Sequence, residues 1–93
     1  METIWKCSLK VTDSQILEIP EGGEFLHVAM QGETPCVWVG VYPRMEKVER
    51  TLLTFGTGYR VPDEGVKYVG TYQLGTTGLV FHVFEKIYGN GGE

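Results

Sequence analysis

The chain has 93 residues, 42% of them apolar, and a net charge of −4. That length makes one domain with a modest core and excludes a separate deep catalytic chamber. The acidic balance, with eight Lys and Arg scattered along the chain, excludes the basic field that polymeric DNA or RNA demands, though one or two arginines still suffice for a small anion.

Ile4–Val11 alternates, with Trp5, Cys7, Leu9 and Val11 on one face, and predicts a half-buried strand. Met1 to Lys6 has no basic stretch leading into an apolar run. No segment approaches the ~20 apolar residues that span a bilayer. The expectation is a cytoplasmic protein without a membrane partner, its two cysteines, Cys7 and Cys36, kept as thiols. After a turn at Asp13-Ser14, Gln15–Pro20 reads as a short strand, with Pro20 marking its end or an edge position.

Phe25–Gln31 and Pro35–Tyr42 read as a hairpin around Gln31-Gly32-Glu33-Thr34. The second arm, PCVWVGVY, is apolar on both faces, as befits a strand inside a sheet. Pro43–Arg50, PRMEKVER, is charge-dense and reads as a loop or a short helical turn leading into a strand over Thr51–Phe55. Val61-Pro62-Asp63-Glu64-Gly65 is a turn by composition.

Tyr68–Leu74 and Leu79–Glu85 then form a second hairpin across Gly75-Thr76-Thr77-Gly78. Its second arm is again apolar on both faces, with Leu79, Phe81 and Val83 opposed to Val80, His82 and Phe84. The sum is an all-β domain over 1–88, a small antiparallel sandwich or partly open barrel of about seven strands with at most one short helix, and a frayed tail over 89–93. Two strands apolar on both faces, with no amphipathic helix to cover them, predict a homo-oligomer.

Gly56-Thr57-Gly58-Tyr59-Arg60 is the most suggestive stretch. Glycine lets backbone N–H groups turn toward an anion, Thr57 adds a hydroxyl, Arg60 a bidentate charge and Tyr59 a ring on which a base can stack. It is neither a P-loop nor a dinucleotide fingerprint, since the Gly-Lys pair and the following helix are missing. The alternative is a turn that needs glycine at positive φ. Arg44 and Trp38 are further candidates for phosphate contact and stacking. His27 and His82 lack the hydroxyl residue two positions on that two-histidine phosphoesterases carry, so they are expected to be structural. Cys7, Cys36, His27 and His82 lack metal-ligand spacing, and neither Ser8 nor Ser14 lies in a nucleophile elbow. No catalytic residue, metal or cofactor is expected, and the protein is expected not to be an enzyme.

Taken together, Ile4-Trp5-Lys6, Pro35-Cys36-Val37-Trp38, Gly56-Thr57-Gly58, Gly70-Thr71-Tyr72-Gln73-Leu74 and Leu79–Glu85 give a chain that resembles short proteins of unknown function encoded by tailed phages and prophages. The likeness covers nearly the whole chain and contains no catalytic signature. It implies a phage setting in the host cytoplasm. By analogy with small phage β-domains that sequester nucleotide immune signals, the leading expectation is a non-enzymatic sponge. The alternatives are a module that docks on a host or virion protein, and a small phosphoesterase.

Overall fold

The computed structural model describes residues 1–87. Seven strands fill it: β1 Thr3–Ser8, β2 Ser14–Pro20, β3 Glu24–Gln31, β4 Thr34–Val41, β5 Lys47–Gly56, β6 Val66–Leu74 and β7 Leu79–Lys86. They form two antiparallel sheets, ordered β1-β4-β3 and β2-β5-β7-β6. No helix occurs among the described residues. The sheets do not close into a barrel, and the fold is a small sandwich.

The alternation read from the sequence sets which side chains meet. Val37, Val39 and Val41 of β4 are fully buried and face the four-stranded sheet, which contributes Ile19, Leu52, Tyr72 and Val83. Leu9 and Val28 complete the core. The expected strand over Ile4–Val11 ends at Ser8. There the chain must leave β1 to reach the other sheet, so Leu9 is buried while Val11 is half exposed.

Both expected hairpins form, β3 with β4 and β6 with β7. β4 and β7 lie inside their sheets, and β2, which ends at Pro20, is an edge strand. β5 is a third interior strand and is longer than Thr51–Phe55. The expected loop or helical turn over 43–50 shrinks to a turn at Pro43–Met45, because Lys47–Leu53 pairs with Pro20–Ser14. Extended backbone puts Arg50 on the inner face, where its guanidinium forks onto the Glu85 carboxylate, donates to the Gly23 carbonyl at 3.0 Å and stacks over Phe25 at 5.0 Å.

The outer side of β4 is covered from within the chain. Met1 lies over Gly40 so closely that a Cβ there would sit 2.4 Å from its sulfur. His27 tilts against Trp38 with ring centroids 5.8 Å apart. Part of the ground for expecting a second copy is thereby removed. On the other edge, Gly70 accepts the Val28 side chain, which a Cβ would meet at 2.7 Å. The two sheets therefore approach most closely at β3 and β6. Ile87 is tied by its N–H to the Gly65 carbonyl at 2.8 Å; the expected frayed tail lies outside the described residues.

Candidate functional site

The Gly56–Arg60 stretch forms the exit from β5. Gly58 has φ of 96° and so takes the left-handed turn conformation that glycine allows. Gly56 is fixed for another reason: a Cβ would stand 2.9 Å from the Tyr59 ring, which folds back across it. The turn closes with Tyr59 N–H donating to the Gly56 carbonyl at 3.1 Å, and Thr57 N–H donating to Val80 O at 3.1 Å ties it to β7. Two of the N–H groups that an anion nest would use are thus engaged by the chain itself.

Tyr59 is 76% exposed, which makes its ring a free surface. A cleft lies on each side of it. One, of about 500 Å³, runs toward Asp13 past Thr54 and Phe55. The other, of about 640 Å³, is floored by Thr57, Leu79 and Val80. Gly56, Tyr59 and Phe81 line both. Each has room for a base-sized ligand with a wall of apolar carbon and a few polar groups. Arg60, next in sequence to Tyr59, is exposed.

The other two candidates sit elsewhere. Arg44 is exposed in the turn before β5, whereas Gly56 ends that strand. Ten extended residues separate them by about 30 Å. Trp38 alternates with the buried Val37 and Val39, so it stands on the outer face of the three-stranded sheet, away from both clefts. Of the candidates, Gly56, Thr57, Gly58 and Tyr59 line these clefts; Arg60 follows Tyr59 in the chain but lines neither, and Arg44 and Trp38 lie elsewhere in the fold.

His82 turns out to adjoin this site. Its Nε2 lies 2.8 Å from Thr57 Oγ1 and its Nδ1 lies 3.0 Å from Thr71 Oγ1, which in turn is 2.5 Å from the Tyr68 hydroxyl. The hydroxyls that the sequence around His82 lacks are supplied by β6 and by the turn that leaves β5. Half of this was within reach of the sequence, because a hairpin pairing Leu74 with Leu79 puts Thr71 opposite His82. Thr57 was not, because β5 meets β7 with no turn joining them. His27 stands beside Trp38 on the outer face of the other sheet, so the two histidines do not meet in one chain.

Burial pushes the Cys7 thiol above its ordinary value, with a smaller push from nearby Cys36. Cys7 faces the core and the buried Cys36 faces outward from the adjacent strand, and both are free thiols. No group of three or more His, Cys, Asp or Glu among the described residues could hold a metal ion. No helix among them is long and apolar enough to cross a membrane.

One family model, described as a domain of unknown function, matches residues 1–91. No curated protein matches the chain, and no solved structure does.

Proposed function

The chain belongs to the family of that domain, DUF7352, and we propose that it is a non-enzymatic module that binds and sequesters a small nucleotide at the two clefts flanking Tyr59. The observation that carries the reading is the Tyr59 ring, 76% exposed between two cavities of nucleotide size. An exposed aromatic ring stacks on any base, for about 1–3 kcal/mol. Arg60 supplies a guanidinium for phosphate. The resemblance to phage-encoded proteins gives the reading its setting, in which the ligand is a nucleotide immune signal in the infected cell.

The separation of His27 from His82 weighs against a paired-histidine phosphoesterase within one chain. Docking on a host or virion protein is the rival reading. It is favoured by the outer face of the four-stranded sheet, where Phe84 meets Phe55 and Tyr68 edge-on at 5.6 and 5.4 Å.

Calorimetric titration with cyclic dinucleotides and cyclic ADP-ribose isomers tests the reading. At least one is expected to bind, with affinity lost in Tyr59→Ala and ligand recovered unchanged after release. Silence from all of them, with the protein folded, overturns it. Recovery of one specific host protein on the immobilised chain, abolished by Phe84→Ala, would favour the rival.

A further inference from the structure

Resting on that reading of the Tyr59 clefts, we propose that the Thr57 hydroxyl, backed by His82, is the subsite that takes a phosphodiester oxygen, and that protonation of His82 strengthens it. Thr57 lines the cleft on the Leu79 side, and its Oγ1 is the one polar side-chain atom there that reaches the imidazole, at 2.8 Å.

Proton counting gives the mechanism. Both ring nitrogens of His82 are held by threonine hydroxyls, Thr57 at Nε2 and Thr71 at Nδ1. The neutral ring carries one N–H and one bare nitrogen. One threonine therefore accepts from the ring, and the other must donate its proton to it. The protonated ring donates at both nitrogens, so both threonines accept. The Thr71 proton then goes to the Tyr68 oxygen, 2.5 Å away. Nε2 of the protonated ring always donates, so the Thr57 proton, which a bare Nε2 would otherwise hold, is free toward the cleft, where the Val80 carbonyl lies 3.3 Å away. That contact is long, and the same carbonyl already accepts the Thr57 N–H at 3.1 Å. An anionic oxygen in the cleft is the better acceptor, and it then has an imidazolium one hydroxyl behind it.

The surroundings leave this balance to His82. Of the groups facing it, β5 and its exit turn supply Phe55 and Thr57, and β6 supplies Thr71, with Tyr68 one hydroxyl further on. The side chains in direct contact with the ring, Phe55, Thr57 and Thr71, carry no charge. Imidazole changes charge between about pH 5 and 8. By linkage, an anion that prefers the protonated ring binds more tightly as pH falls through that range and more weakly as it rises.

The probe must not itself titrate, so a phosphodiester is required. Cyclic di-AMP is to be titrated into the wild-type chain and into His82→Gln at about pH 6 and about pH 8. Gln keeps a donor for Thr57 but cannot ionise, and it replaces an outward-facing side chain, so the fold is expected to persist by circular dichroism. The wild type is expected to bind about tenfold more tightly at the lower pH, taking up a proton on binding, and His82→Gln is expected to bind equally at both. Equal wild-type affinity at the two pH values, or a pH slope that survives in His82→Gln, overturns the subsite while leaving the Tyr59 reading standing. No binding at either pH by this probe overturns the subsite, and only silence from the whole nucleotide panel overturns the reading beneath it.

Discussion

Tyr72 carries its phenol into the core and leaves it there, 3% exposed, with no hydrogen-bond partner among the described residues. A buried hydroxyl without a partner costs about 1–3 kcal/mol. Tyr72→Phe is therefore expected to raise unfolding free energy by about 1 kcal/mol in urea titration; a loss of stability would mean that the hydroxyl has a partner in solution. Burial also pushes this phenol up. Its neutral form is the one the fold prefers, so its contribution is intact below the ordinary phenol value. It is lost as pH rises through the raised value in the folded chain. An alkaline stability profile should accordingly fall less steeply in Tyr72→Phe than in the wild type. At Gly70, the 2.7 Å approach of Val28 leaves no room for a methyl group. Gly70→Ala is expected to cost about 1–3 kcal/mol by forcing the sheets apart, visible as a lowered denaturation midpoint.

Among the elements, β5 is the one the sequence disguises. Its first half is Lys47-Val48-Glu49-Arg50, whose charges suggest a solvated turn. Lys47 and Glu49 are indeed exposed, but Arg50 points inward and is neutralised by a residue 35 positions away in sequence. Nothing local announces that pairing. β4 and β7 were legible because their apolar runs hold on both faces, and both hairpins because glycine marks their turns at Gly32, Gly75 and Gly78, all with positive φ. The site divides the same way. Gly56 to Tyr59 are contiguous, so their clustering is legible, whereas Arg60, Arg44 and Trp38 join them by residue type alone. The Arg50–Glu85 pair is enclosed, with side chains 22% and 12% exposed. Removing one partner leaves the other charge uncompensated, so Glu85→Gln is expected to cost about 3 kcal/mol. The loss should appear as a lowered midpoint in urea titration. Arg50→Met with Glu85→Leu should recover much of it, since apolar side chains of similar volume often replace an enclosed pair without loss.

For the whole molecule, the question is which surface a second copy would cover. Met1 and His27 pack over the outer side of β4, although Met1 and Ile4 on that side remain about half exposed, at 52% and 54%. The four-stranded sheet still presents Ile16 and Tyr68, both more than half exposed, around the Phe55–Phe84 contact. The homo-oligomer expected from the sequence is predicted to use this face, where the exposed apolar residues surround an aromatic cluster. Light scattering at micromolar concentration is expected to show a multiple of 10.4 kDa that drops to one chain in Ile16→Glu. A wild-type mass of one chain removes the oligomer and leaves this face to other partners.

The sheet order also sets how the chain can reach its native state. Of the strand pairs among the described residues, only β3–β4 and β6–β7 are joined by tight turns; Trp5 must find Val39, Leu17 must find Arg50, and Phe55 must find His82 across long intervening segments. Local hairpins close in about 1–10 μs, but distant pairings bear the entropy of loop closure before any contact rewards it. Refolding from denaturant should therefore take milliseconds to seconds, with amides of the two hairpins protected from exchange ahead of those linking β1 to β4.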